Sequence, residues 1–276
     1  MRILITGVDG YVGGRLARSL IIAGHEVAGF GLRRGHNITD LDQVKKAAAD
    51  ADWIVHLAGL VGIAICERDP EMARRVNVEG TRNVMQCHKR VLYASVLASY
   101  KQREIDESTP VFPKATYFRT KLEAEKQVVE EGQTVMRFGT LYGINEQAMR
   151  DDLLVHSFCK EAVQKGRITV FQPEYIRPIT YIDEAAAAIQ FALEKAHHER
   201  GIFNVVTQNC QKGSIATIVS ACTGSPIVPI AGGDDEGRNY SASSGKLKSA
   251  GFVFTAPPLR DTVKEICAWY RGKVNA

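Results

Sequence analysis

Short runs of aliphatic and β-branched residues alternate with stretches whose apolar positions repeat every three to four residues, and this rhythm governs the first half of the chain. Ile3-Leu4-Ile5 predicts a strand, and Gly13 to Ala23 a helix ended by Gly24. His25 to Phe30 predicts a second strand and Trp53 to Leu57 a third. The spacing from Met72 to His88 predicts one long helix, followed by a strand from Val91 to Ala94. Ala115 to Glu131 reads as a helix stopped by Gly132, and Val135 to Phe138 as the next strand. Strand, helix, strand in this order implies parallel pairing through right-handed crossovers. The expected class is α/β, a doubly wound parallel sheet.

After Tyr142-Gly143 the rhythm loosens. Helices are expected from Leu153 to Lys165 and from Ile182 to Lys195, with strands from Arg167 to Phe171 and Ile202 to Val206. Gly224 to Gly251 is rich in Gly and Pro and predicts mostly loop, before a last helix from Leu259 to Tyr270. The expected division is a core over 1–143, completed by roughly 179–207, and a small C-terminal substrate-binding lobe over 144–178 and 208–276. Ligands of such folds sit at the carboxyl ends of the strands, between the two parts.

Composition changes this picture little. The chain has 276 residues, 45% of them hydrophobic and 24% charged, which excludes a disordered or disulfide-stapled protein. A net charge of +4, dispersed along the chain, gives no footing for nucleic acid or a membrane surface. No apolar run approaches the ~18 residues that cross a bilayer. The first residues lack a signal-peptide pattern and enter a strand at once, so the mature fold is expected to begin at residue 2. Cys66, Cys87, Cys159, Cys210, Cys222 and Cys267 form no C-x-x-C pair. Buried, reduced thiols in a cytoplasmic protein are expected, and no metal site.

The first chemistry lies in Thr6-Gly7-Val8-Asp9-Gly10-Tyr11-Val12-Gly13, between the first strand and the first helix. Gly7 permits a tight turn, Gly10 lets backbone amides approach a pyrophosphate, and Gly13 allows the helix to pack closely on the sheet. This points to a Rossmann-type dinucleotide site, with a plain β–α turn as the alternative. An NAD site usually ends the second strand with a carboxylate for the ribose hydroxyls. Here Gly31 stands at that place, followed by Arg33 and Arg34, which suit a 2′-phosphate. The pair favours NADP over NAD, solvated loop arginines being the alternative.

The second chemistry is Tyr117-Phe-Arg-Thr-Lys121, whose spacing of four puts phenol and ammonium on one helix face. An ammonium beside a phenol stabilises the phenolate for proton transfer. In this context the sequence resembles an extended short-chain dehydrogenase/reductase of the NAD-dependent epimerase/dehydratase type, a family that mostly modifies nucleotide sugars. The resemblance rests on Thr6 to Gly13, on His56-Leu57-Ala58-Gly59 as its H-x-A-[AG] segment, and on Asn77-Val-Glu-Gly-Thr81 as N-x-x-G-T. Tyr93-Ala-Ser95 begins the strand of the active-site hydroxyl, Arg137 to Gly143 resembles R-x-x-N-x-Y-G, and Arg177 to Asp183 resembles R-x-x-x-H-V-D. It implies that Tyr117 is the acid/base and that Lys121 holds the nicotinamide ribose and lowers the tyrosine pKa. It implies further that Leu57, Ala58, Gly59 and Asn77 line the cofactor, that Asn37 and Ile38 sit by the adenine, and that Arg177 touches a substrate phosphate. A homodimer through helices 72–88 and 115–131 is implied as well.

The sequence departs from the family's pattern at the substrate side. Val96 falls on the catalytic Ser/Thr position, four residues before Tyr100; Ser95 is the neighbouring candidate, usable if a bulge re-aims it, and otherwise a buried hydroxyl. Leu97 and Ala98 stand where dehydratases carry Asp and Glu, which argues against a dehydratase. Ile230 to Asp234 lacks the family's second arginine, whereas Arg150 and His156 are candidates to face substrate, a lone helix histidine such as His156 being more often a satisfied surface or core residue. The expected function is an NAD(P)-dependent epimerase or ketoreductase of a nucleotide sugar. Alternatives are an NADPH-dependent reductase of a small ketone or aldehyde, and a non-catalytic NADP-binding protein.

Overall fold

The structure, a computed structural model, describes residues 1–195, 200–232 and 237–274. Along the first half run β1 (Arg2–Thr6), α1 (Tyr11–Ile22), β2 (Glu26–Phe30), α2 (Leu41–Ala48), β3 (Trp53–His56), α3 (Ile63–Arg68), α4 (Pro70–Arg74), α5 (Gly80–Cys87) and β4 (Val91–Val96). Next come β5 (Glu104–Ile105), α6 (Thr116–Glu130), β6 (Thr134–Phe138), β7 (Thr140–Tyr142), α7 (Leu154–Lys165), β8 (Ile168–Val170), β9 (Ile176–Tyr181) and α8 (Ile182–Glu194). The last elements are β10 (Gly201–Val205), β11 (Gln208–Gln211), α9 (Lys212–Thr223), β12 (Ile227–Pro229), β13 (Ser241–Ala242), α10 (Gly245–Ser249) and α11 (Leu259–Val274).

The central sheet has the order β10-β6-β4-β3-β1-β2, with every neighbour parallel. Strands buried on both faces read as continuous apolar runs, as Ile3-Leu4-Ile5 does. Ile3, Ile5, Leu92, Met136 and Phe203 face a core shared with Leu16, Leu20 and Ile189 of α1 and α8. Leu4, Ile54 and Val91 point the other way, onto Val44 and Val84 of α2 and α5. The sheet is therefore sandwiched between helices, as the alternation implied. A separate apolar cluster joins α7, α9 and α11 through Val155, Phe158, Ile215, Val219, Val263 and Ile266.

Two expectations need correcting. The single helix over 72–88 is interrupted: α4 and α5 are joined by a five-residue π-helical stretch, Arg75–Glu79, that buries Asn77 and Val78. Apolar spacing continues across it, so the pattern alone conceals it. Helices α2, α3 and α9 were not anticipated, while the described part of Gly224 to Gly251 is mostly loop, as expected, with the short β12, β13 and α10 set in it. Gly233 and Asp234, part of the stretch expected to lack a second arginine, lie outside the described residues.

Candidate active site

The glycine loop is shaped by close approach. Gly7 has φ +73° and a β-carbon there would meet Ala58 N at 2.8 Å, so the turn requires glycine on both counts. A β-carbon on Gly13 would lie 2.2 Å from Gly7 O, which is how α1 reaches the loop. Gly10, exposed and extended, precedes α1 without a side-chain cap, so the helix N-terminus presents its backbone donors outward. Asp9 Oδ2 is buried and has no hydrogen-bond partner among the described residues. A glycine cradle at a bare helix N-terminus is what a dinucleotide pyrophosphate requires, and these residues fit that group.

Behind the loop runs a chain of hydrogen bonds. Thr6 Oγ1 accepts from Ala58 N at 3.2 Å and donates to His56 Nδ1 at 2.7 Å. His56 Nε2 donates to Thr81 Oγ1 at 3.0 Å, and Thr81 donates to Asn77 O at 2.6 Å. Since Thr81 spends its hydrogen on a carbonyl, the proton of His56 must sit on Nε2. Burial pushes His56 down to about 3, with Lys121 adding to the shift, so the ring is neutral. Asn77 Nδ2 then donates to Thr120 Oγ1 at 3.0 Å, and Thr120 donates to Tyr117 O at 3.0 Å. Asn77 also exchanges two hydrogen bonds with Leu60. Its side chain is thereby committed to holding the loop after β3 against α6.

Helix α6 carries Tyr117, Lys121 and Glu125 at successive turns of one face. Glu67 Oε1 receives Thr116 N at 2.6 Å, placing a carboxylate at the helix start, and that bond holds Glu67 below the usual carboxylate range. Lys121 is buried and donates through Nζ to Ala94 O at 2.7 Å, 4.1 Å above the Tyr93 ring. Burial pushes this ammonium down to about 7. Gly59 lies beside it, a β-carbon there falling 4.0 Å from Nζ and 3.0 Å from Asn77 Oδ1.

Burial pushes the Tyr117 phenol up to about 12, against the pull of two guanidinium groups, Arg150 and Arg238. The sequence led to the expectation that Lys121 lowers this phenol. Its ammonium is instead engaged with Ala94 O, and the cations acting on Tyr117 are Arg150 and Arg238. Arg150 is clamped by Asp152 through bonds of 2.7 and 2.6 Å. Arg238 lies 5.5 Å over the ring of Phe118, the residue after Tyr117.

Arg238 was missed in the sequence because the second arginine was sought between Ile230 and Asp234. Two bonds place it: Ile176 N donates to Asn239 Oδ1 at 2.9 Å, and Tyr240 N to Ile176 O at 3.3 Å. These pin its neighbours beside Arg177, whose Nη2 donates to Thr140 Oγ1 at 3.3 Å.

Other candidates take different places. β4 pairs with β6 without a bulge, Ser95 opposite Arg137 and Val96 opposite Phe138. Ser95 is buried on the strand face of Tyr93, and its Oγ has no partner among the described residues. Val96 packs against the same cluster as Tyr117, with Ala98, Ala115 and Phe118. The position beside the phenol is thus apolar, and Ser95 is not re-aimed to replace it.

His156 is fully buried; its Nε2 accepts from Gly143 N at 3.1 Å and its Nδ1 donates to Arg150 O at 2.7 Å. Burial holds it below the ordinary histidine range, and with both nitrogens used it presents nothing to a substrate. This is the packed alternative that the sequence offered and not the substrate-facing candidate, because packing and not helix position decides the matter. The Tyr11 hydroxyl likewise donates to Gly143 O at 2.6 Å, so only its backbone serves the glycine loop, while Val12 packs into the core. Ile38 is buried against Gly80, whereas Asn37 is exposed, its Oδ1 accepting from Thr39 N at 3.0 Å. Leu57 and Ala58 flank Gly7, Leu57 donating to Thr6 O at 3.1 Å. Arg33 is exposed, and Arg34 Nε donates to Asp9 Oδ1 at 2.9 Å, which leaves the NADP expectation without support. Among the described residues no His, Cys, Asp and Glu cluster could hold a metal, and no helix is long and apolar enough to cross a membrane.

The uncharacterized UDP-glucose epimerase YtcB of Bacillus subtilis is 26% identical over 262 residues, covering 80% of each chain. The structure of UDP-glucuronic acid 4-epimerase from Bacillus cereus, in complex with UDP-glucuronic acid and NAD, matches with a TM-score of 0.86 at 20% identity, over 99% of this chain and 100% of that one. TunA, described as an NAD dependent-NDP-hexosamine 5,6-dehydratase, matches with a TM-score of 0.86 at 19% identity, over 98% of each chain. These two show a shared fold. The NAD dependent epimerase/dehydratase family matches residues 3–205, from β1 through the edge strand β10. That span holds the whole sheet and the Tyr117–Lys121 helix, and the chain accordingly belongs to the NAD dependent epimerase/dehydratase family.

Proposed function

We propose that the protein is an NAD-dependent epimerase of a nucleotide-activated sugar, with Tyr117 as the acid/base. What supports the reading above all is that the charges of two guanidinium groups, Arg150 and Arg238, act to lower the buried Tyr117 phenol, while Asn239 beside Arg238 is bonded to Ile176 next to Arg177. Cations around a reactive phenol suit a substrate that carries phosphates next to the reacting carbon. The relatives named above include a UDP-glucose epimerase and a 4-epimerase of UDP-glucuronic acid.

In this reading the loop of Gly7, Gly10 and Gly13 holds the pyrophosphate, and Lys121 reaches the nicotinamide ribose. The bound dinucleotide supplies the acceptor and donor of hydride. Tyr117 takes the sugar hydroxyl proton as the carbon is oxidised and returns it on reduction. Arg150 and Arg238 stabilise the phenolate that takes this proton and that is regenerated when the proton is returned. Asn77 and Thr120 fix the turn from which the phenol projects. Leu97 and Ala98 offer neither acid nor base, so elimination of water is not part of the proposal. A homodimer through α5 and α6, and a cytoplasmic setting, belong to the same proposal.

The apolar Val96 beside Tyr117 favours a second reading, a dinucleotide-binding protein without turnover. One experiment separates the two. Purified protein is incubated with NAD and UDP-hexoses, and sugar epimers are resolved by chromatography. Epimerisation lost in Tyr117→Phe, with dinucleotide binding kept, is the expected result. Binding of NAD and UDP without conversion in the wild type would establish the second reading instead.

A further inference from the structure

We propose that Asp9, inside the glycine loop, is the carboxylate that recognises the adenosine ribose, and that it selects NAD over NADP. The proposal rests on the dinucleotide reading above and names the residue that sets its specificity. The end of β2 is where a ribose-binding carboxylate is ordinarily carried, and Gly31 stands there instead.

Nothing in the backbone of Gly31 calls for glycine, since its φ of −156° is ordinary extended geometry. The space is what is taken. A β-carbon on Gly31 would lie 2.3 Å from Asp9 Oδ2 and 3.3 Å from Asp9 Cγ. The Asp9 carboxylate therefore fills the volume in which a side chain at the end of β2 would begin. Gly7 N donates to Phe30 O at 2.7 Å, which fastens the loop to that end of the strand and holds Asp9 in place.

The two carboxylate oxygens differ. Oδ1 accepts Arg34 Nε at 2.9 Å, whereas Oδ2 is buried and has no partner among the described residues. A buried carboxylate oxygen without a donor is unfavourable, and a ribose hydroxyl is a donor of the size and kind that completes it. A 2′-phosphate does the reverse, bringing negative charge against a carboxylate.

Arg34 covers this acid. Its guanidinium carbon would lie 3.3 Å from a β-carbon on Gly29, and about half of its side chain is exposed. An ion pair so placed is weak, so Arg34 can move aside to admit the ribose. On this geometry Arg34 is the counter-ion of Asp9, and its charge is not free for a phosphate.

The test is the affinity of the purified protein for NADH and NADPH, read by nucleotide fluorescence without sugar substrate. The wild type is expected to bind NADH more tightly by about tenfold or more, the least that a like-charge contact imposes. Asp9→Asn, close in shape, is expected to bring the ratio near one. Asp9→Ala combined with Gly31→Asp empties that volume, returns a carboxylate to it from β2 and restores the NADH preference. Arg34→Ala keeps that preference. A wild type that prefers NADPH, or a ratio that Asp9→Asn leaves unmoved, overturns the proposal while the dinucleotide reading stands. Binding of neither nucleotide would remove the dinucleotide reading itself, and the proposal with it.

Discussion

Lys121 Nζ donates to the carbonyl oxygen of Ala94 at 2.7 Å, tying the middle of α6 to β4. A buried ammonium held by a single carbonyl and one aromatic face loses most of its hydration, and its pKa falls to about 7. In the unfolded chain the same group titrates near 10.4. Between these values the unfolded state binds the proton and the folded state does not, so stability rises with pH across that window. The slope from this group approaches ~1.4 kcal/mol per pH unit. Lys121→Met is expected to flatten that part of the profile. Urea unfolding from pH 6 to 10, wild type against variant, measures the difference; identical slopes would mean that Lys121 stays protonated in the fold.

His56 provides the opposite limb. Its folded pKa of about 3 lies well below the unfolded ~6.5, so its contribution is complete above pH 6.5 and is lost as pH falls toward 3. The ring is expected to remain neutral with its proton on Nε2 down to about pH 4. Nitrogen-detected NMR of labelled histidine reads both properties directly. A His56 ring that titrates near 6 would show the Thr6–His56–Thr81 chain to be open in solution.

On the proposed function, Val96, which packs against the same cluster as Tyr117, stands where a hydroxyl would assist proton transfer. Val and Thr are nearly isosteric, so Val96→Thr tests that place with little change in volume. An added donor of this kind is worth on the order of 10²-fold in kcat where geometry is good. A gain of about tenfold in epimerisation is therefore expected for Val96→Thr, and a smaller change for Ser95→Ala. If Ser95→Ala costs activity and Val96→Thr adds none, the working hydroxyl is that of Ser95.

Arg137 and Glu125 form a pair that is almost wholly buried, side chains 6% and 5% exposed, joined by bonds of 3.1, 3.0 and 2.5 Å. Removing one partner leaves the other charged and dry, a loss of ~3–5 kcal/mol. Glu125→Ala is expected to lower unfolding stability by that amount in denaturant titration. A change under ~1 kcal/mol, the range of exposed pairs, would show that water reaches Arg137.

The cofactor half of the molecule could be read in the sequence because its constraints are steric. At Gly7 and Gly13 only glycine avoids the backbone of Ala58 and of the loop itself, so residue type and geometry coincide. Tyr117 and Lys121 are legible for a related reason, since a spacing of four on a helix fixes a shared face. The substrate half depends on where loops are pinned. Arg238 is placed over Phe118, the neighbour of Tyr117, by a segment whose Asn239 and Tyr240 bond to Ile176, and no periodicity marks that approach. His156 shows the converse, a polar residue at a helix position compatible with substrate whose nitrogens are consumed by Gly143 and Arg150. Asp9 was passed over because a glycine loop draws attention to its glycines.

The hydrogen-bonded chain from Thr6 through His56, Thr81, Asn77 and Thr120 to the carbonyl of Tyr117 defines a unit of exchange. A glycine loop imported with a residue other than Thr at position 6 would break the first bond of this chain, whose far end lies on α6. Chimeras that move the whole set together should keep the phenol aligned with the dinucleotide cradle. Those that cut between His56 and Thr81 would separate parts that the fold builds to a common reference.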